Sequence, residues 1–231
     1  MKPLARVPVK LVSWDEIVEW SRKLAQLIAE SGYRPGVVIA LSRGGFVPAR
    51  LVCDFLDIEN LLSIQSQHWT EAAKVAEKAI IKYPYLVDLS GQRALIVDDI
   101  CDTGDSLILA KNYIAEKWRP SELKIATLQW ISSVAKIKPD YYVMEVRDWI
   151  WFQYPWTRLE DTYQFIKRMM SEAKKEYGKT SWSYSEIIAK FHEWYSIDVG
   201  ENYYRDAIKV LEEKNLVKYD QSQGKYLYLG D

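Results

Sequence analysis

Two cysteines, two histidines and no surplus of either charge are what this sequence has in short supply, and each shortage removes a class of protein. Cys53 and Cys101 sit in apolar stretches and have no metal-ligand spacing to His68 or His192. Two reduced, buried thiols are expected, rather than a disulfide framework or a zinc centre. With 31 basic against 32 acidic residues the net charge is -1, which withholds the basic excess usual in a nucleic-acid binder. No apolar run could span a bilayer, and "MKPLARVPVK" lacks the apolar core of a secretion signal. A cytoplasmic location with no membrane partner is the expectation. There is also no internal repeat and no low-complexity segment.

What remains has the composition of an ordinary soluble globular protein. A chain of 231 residues has room for one large domain or for a medium and a small one. Its 10 Trp and 16 Tyr are many, and most are expected to serve packing rather than sites. "SWDEIVEWSRKLAQLIAE" opens on Ser13, with Glu16 at capping-box distance, and its apolar residues recur at helical spacing. "VVIAL" reads as a buried strand, followed by "SRGG" and a helix over 47–56. Further strands are expected at "NLLSIQ", "RALIV", "LKIATLQ" and "DYYVMEV", with a helix at "SLILAKNYIAEKW". Residues 66–92 are poorly periodic and read as a long connection holding one short helix. Strands alternating with helices predict a five-stranded parallel sheet flanked by helices.

From Leu159 the pattern becomes helical and ends in two strand-like pieces around "QSQG". That order suggests a small winged-helix-like domain over 159–231, with "YGKTSWS" as linker and 1–158 as the core.

The chemistry concentrates in "ALIVDDICDTGDSLILA". Ligands of a parallel sheet bind beyond the carboxyl ends of its strands, where Asp98 and Asp99 fall. Buried there alone they would be costly, so they call for cations or hydroxyl donors. The turn that follows offers backbone N–H groups and the hydroxyls of Thr103 and Ser106 at a helix start, a ready phosphate site. A sugar phosphate satisfies both halves, its vicinal hydroxyls on the carboxylates and its phosphate in the turn.

"LIVDDICDTGDSL" resembles the phosphoribosyl-pyrophosphate motif of the type I phosphoribosyltransferases. "VIALSRGGFVPARLV", "VSWDEI" and "DWIWFQYPW" resemble, in the expected order, segments of the bacterial xanthine-guanine phosphoribosyltransferases. The likeness covers Leu11 to Trp156 and leaves the C-terminal part uncovered. It implies a purine salvage transferase using phosphoribosyl pyrophosphate and Mg²⁺, the metal held mainly by substrate oxygens and water, and a homodimer. Ser42, Arg43, Gly44 and Gly45 would bind pyrophosphate, with a cis peptide near Ser42–Arg43. Asp98 and Asp99 would face the ribose, and Asp102, Thr103, Gly104, Asp105 and Ser106 would surround the 5'-phosphate. Asp102 would also accept a proton from purine N7, Trp149 would stack on the base, and the Ile150 backbone would bond its edge. Residues 65 to about 84 would form a lid.

Two positions depart from that pattern. Asp105 stands where the motif favours Gly or a basic residue; a carboxylate aimed at phosphate would repel it, so this side chain should point outward. The 6-oxopurine enzymes also carry a Lys after the fourth strand for purine O6, and here "IATLQWISS" puts Ile131 or a neighbour there. Lys136 and Lys138 lie further on and read as solvated loop charges. Adenine, giving AMP, is therefore the expected acceptor, with hypoxanthine, guanine and xanthine as the alternative. A transcription regulator that senses phosphoribosyl pyrophosphate is the rival class. The mixed charge of the C-terminal part speaks against nucleic acid as its partner.

Overall fold

A computed structural model of the chain describes residues 6–69 and 78–230. The chain divides into two compact units, Trp14–Trp149 and a second made of Met1–Ser13 with Ile150–Asp231. This differs from a single cut at 158, which falls at the start of a helix. The N-terminal strand explains the difference: β1 (Val9–Leu11) pairs in parallel with β8 (Trp151–Gln153), Val9 opposite Trp151. Arg6 lies 4.1 Å from the ring centre of Trp194, which ties the start of the chain to the same unit.

In the unit Trp14–Trp149, α1 (Trp14–Glu30) starts directly after Ser13, and β2 (Val37–Ser42) is buried along its whole length. Burial on both faces is why "VVIAL" carries no polar alternation. The following elements are α2 (Phe46–Leu56), β3 (Leu61–Trp69), β4 (Lys78–Ile81), β5 (Arg93–Cys101), α3 (Asp105–Lys117), β6 (Glu122–Ile131) and β7 (Tyr141–Val146). They build a six-stranded sheet in the order β4-β3-β2-β5-β6-β7, parallel except for the edge strand β4. The five expected parallel strands are therefore present, and β4 is added antiparallel to β3. On one face Val37, Ile39, Leu41, Ile96 and Ile125 pack with Leu107, Ala110 and Ile114 of α3.

The expected helix within 66–92 is not seen among the described residues; 70–77, and with them part of the expected lid, lie outside them. Residues 82–92 are irregular but anchored. Trp118 Nε1 and Tyr113 Oη donate to the Tyr85 carbonyl at 2.8 and 2.7 Å.

The second unit continues from β8 with α4 (Arg158–Tyr177), β9 (Ser181–Trp182), α5 (Tyr184–Tyr195), α6 (Glu201–Glu213), β10 (Val217–Asp220) and β11 (Lys225–Tyr228). β9, β10 and β11 form an antiparallel sheet in the order β10-β11-β9. The segment expected as a linker therefore supplies a strand, and its Trp182 is 2% exposed within an aromatic core. Phe165, Phe191, Tyr195 and Tyr204 form that core, with Phe165 and Tyr195 stacked at 4.3 Å. A capping box starts α5: Ser183 Oγ accepts the Glu186 N–H, and the Glu186 carboxylate accepts the Ser183 N–H.

Candidate active site

The ends of β2 and β5 lie side by side. Their pairing ends at Ala40 opposite Val97, just before Ser42 on one strand and Asp98 and Asp99 on the other. β2 gives way to the loop Ser42–Gly45, which enters α2. The Ser42–Arg43 peptide is cis, as the resemblance implied; Ser42 is buried and Arg43 exposed. The two glycines are needed for different reasons. A Cβ on Gly44 would lie 2.3 Å from Asp99 Oδ2, so the loop backbone passes directly over that carboxylate. A Cβ on Gly45 would lie 2.3 Å from the Val97 carbonyl oxygen, so α2 can start this close to β5 only without a side chain there.

Asp99 is 7% exposed and Asp98 half-buried. Asp98 Oδ1 accepts the Asp99 N–H at 2.9 Å, and Asp99 Oδ1 accepts the Ile100 N–H at 2.8 Å. These local bonds use one oxygen of each carboxylate. Burial first, and the negative charge of Asp99 second, push the Asp98 carboxyl well above the usual carboxylate range. Asp102 adds to the same push. A concentration of acid this close is suited to ligands bringing hydroxyl donors or positive charge. It also suits a Mg²⁺ ion that keeps its waters and takes its other ligands from a diphosphate. Among the described residues no group of three or more His, Cys, Asp or Glu side chains could hold a metal by itself.

β5 ends at Cys101, and the turn to α3 runs through Asp102 and Thr103, both exposed. Gly104 makes that turn with φ +81°, and a Cβ there would also meet Ile137 Cγ2 at 2.6 Å. Asp105 opens α3, whose first-turn N–H groups face the end of the helix. The Asp105 carboxylate is taken up by Lys136, Nζ lying 2.8 Å from Oδ1 and 2.9 Å from Oδ2. The side chain thus has the partner that the sequence did not assign to it. Lys136 stays 63% exposed, as a solvated loop charge would, and 31 residues separate the pair in sequence. The one local hint was an acid out of place in a phosphate motif.

The fold brings Ser42–Gly45, Asp98, Asp99 and Asp102–Ser106 to one end of the sheet. Trp149, the last residue of this unit, is 46% exposed. Ile150 is half-buried and begins the other unit.

The region expected to follow the fourth strand needs correction. Gln129, Trp130 and Ile131 are the last residues of β6, and Ile131 is 1% exposed. The loop after β6 begins at Ser132 and carries two cations. Lys136 holds Asp105, and Lys138 lies 5.2 Å from the ring centre of Trp130 and 5.4 Å from that of Tyr142. Cys53 and Cys101 are free and buried, as expected. No helix among the described residues is long and apolar enough to cross a membrane.

A family model described as "Phosphoribosyl transferase domain" matches residues 12–161. The xanthine-guanine phosphoribosyltransferase of Desulfotalea psychrophila is 31% identical over 147 residues, which are 63% of this chain and 84% of that protein. Its counterpart in Cereibacter sphaeroides is 32% identical over 151 residues, with the same coverage. Among solved structures, a purine phosphoribosyltransferase from Pyrococcus horikoshii superposes with a TM-score of 0.57 at 31% identity, covering 64% of this chain and 93% of that one. The matched span takes in the Ser42–Gly45 loop, the two carboxylates and the turn into α3, and the chain belongs to the phosphoribosyl transferase domain family.

Proposed function

We propose that the protein transfers ribose 5-phosphate from phosphoribosyl pyrophosphate to a purine, releasing pyrophosphate and a nucleoside monophosphate. The observation that carries this reading is the pair Asp98 and Asp99 between two anion cradles, the Ser42–Gly45 loop on one side and the start of α3 on the other. The two carboxylates orient the ribose through its hydroxyls. Arg43 and the loop backbone receive the diphosphate, and the α3 end receives the 5'-phosphate. Positive charge develops at ribose C1 as the diphosphate leaves, so the preorganised groups on the leaving oxygens supply most of the acceleration. Mg²⁺, when bound, adds charge to the leaving diphosphate. Asp102, exposed beside the ribose carboxylates, accepts the purine proton.

For the acceptor base, the names of the curated relatives favour a 6-oxopurine, xanthine or guanine, over the adenine expected from the sequence. Adenine keeps one specific observation in its favour. Residues 129–131 end β6 without a cation, while Lys136 and Lys138 are engaged by Asp105 and by two aromatic rings. A homodimer, a cytoplasmic location and a winged-helix-like domain over 159–231, serving dimer contact or regulation, complete the proposal. The helix, strand, helix, helix, strand, strand order of that part supports the winged-helix-like topology.

Turnover with xanthine, guanine, hypoxanthine and adenine, each with phosphoribosyl pyrophosphate and Mg²⁺, tests both levels. A kcat/KM highest for xanthine or guanine supports the reading from the relatives, and a clear preference for adenine replaces it. No nucleotide from any base, with tight binding of phosphoribosyl pyrophosphate, would favour the sensor.

A further inference from the structure

Asp105 places a fixed negative charge in the first turn of α3, at the helix end assigned above to the 5'-phosphate. An acid at a free helix N-terminus is ordinarily favourable, but here it shares the position with an incoming phosphate of the same sign. The loop between β6 and β7 answers that charge. The Lys136 ammonium is bound to both carboxylate oxygens, at 2.8 and 2.9 Å. The Lys136 backbone N–H donates to the Thr103 carbonyl at 2.9 Å, and Ile137 packs where Gly104 has no side chain. The loop is therefore docked on the turn by its main chain, and the ammonium is an addition to that docking.

Magnitudes say what the addition is for. The Lys136 and Asp105 side chains are 63% and 37% exposed, and an exposed ion pair adds only about 0–1 kcal/mol to folding. Charge beside a bound phosphate matters more, because the ligand carries its own charge into the same field.

We propose that Lys136 is a positioning residue for phosphoribosyl pyrophosphate: by holding and neutralising Asp105 it keeps the start of α3 attractive to the 5'-phosphate. The inference rests on the phosphoribosyl transfer proposed above and adds to it a residue outside the family motif.

The test uses the full chain and four proteins: the parent, Lys136→Met, Lys136→Arg and the double variant Asp105→Asn with Lys136→Met. KM for phosphoribosyl pyrophosphate and kcat are measured with the best purine, and ribose 5-phosphate binding by calorimetry. Lys136→Met should raise that KM and weaken ribose 5-phosphate binding by about tenfold, with kcat within about twofold and an almost unchanged Tm. Lys136→Arg should stay close to the parent. The double variant should recover most of the lost affinity, because no carboxylate is left to neutralise. That recovery separates positioning from a structural role, which deleting a second side chain would not repair. A Lys136→Met protein with parental KM overturns the inference. So does a double variant as weak as Lys136→Met, which would mean that the ammonium meets the phosphate itself. A parent that makes no nucleotide from any purine overturns the transferase reading and this inference with it; an active parent with an indifferent Lys136 overturns only the inference.

Discussion

Replacing Gly44 by alanine tests the site with the least change to the fold. The added Cβ would lie 2.3 Å from Asp99 Oδ2 and 2.5 Å from Cγ and Oδ1, where ordinary contact starts at 3.4 Å. About 1 Å of movement is therefore required, and the atoms able to move are the end of the Asp99 side chain. Turning that carboxylate away forfeits its 2.8 Å bond from the Ile100 N–H, a bond to a charged acceptor worth about 1.5–3 kcal/mol. The fold should survive a loss of this size. Binding should not, since a misplacement of about 1 Å in a positioning group can cost about 10²-fold. The expected result is a folded Gly44→Ala protein whose kcat/KM for phosphoribosyl pyrophosphate is down by about 10²-fold, close to 2.7 kcal/mol of transition-state stabilisation. Gly45→Ala is the contrasting control. Its Cβ meets main-chain atoms, the Val97 and Leu41 carbonyl oxygens at 2.3 and 2.7 Å and Leu41 N at 2.9 Å. Backbone cannot swing aside, so overpacking should cost stability at or above the usual range of about 1–3 kcal/mol. Thermal melts and steady-state kinetics on both proteins read the difference. A Gly44→Ala enzyme with parental kinetics would refute the use of Asp99 in substrate binding.

Asp98→Asn should impair phosphoribosyl pyrophosphate binding yet raise stability at neutral pH. The Asp98 carboxyl is held above its unfolded value, so its stabilising share is present at low pH and lost as pH rises through the folded value, and the amide removes that loss. A melt showing Asp98→Asn less stable than the parent at pH 7 would contradict this. Asp161 gives the same sign with a window: burial pushes it up to about 6, so the parent should lose stability between about pH 4 and 6, on the order of 2–3 kcal/mol, and Asp161→Asn should not. Parallel pH profiles of the two proteins would count against it. Asp102→Asn should lower turnover by about 10² to 10⁴-fold with little change in diphosphate affinity, and equal rates at every pH would remove Asp102 as the proton acceptor.

Truncation after Gly178 is a poor probe of the C-terminal part. Phe165, Ile166, Met169 and Met170 of α4 share one core with Trp182, Phe191 and Leu211, and cutting there would leave that face of α4 uncovered.

The parts legible in the chain were those whose cause is local. The buried run of β2, the periodicity of α1 and the two carboxylates, turn and helix start from Asp98 to Ser106 follow from residues within about one turn of each other. The family motif lies in that same local stretch. Tertiary structure decided what depends on partners distant in sequence. Ser181 and Trp182 carry no strand signal of their own and become β9 because Leu227 and Tyr226 lie opposite. Val9–Leu11 joins the second unit because Trp151–Gln153 offers it an edge, and β4 exists as the partner of β3. Asp105 acquires its counter-ion from a loop 31 residues away, and Gly44 owes its missing side chain to Asp99 of β5. In each case the energy comes from a neighbour that only the folded chain brings within reach, and the sequence alone does not record which neighbour that is.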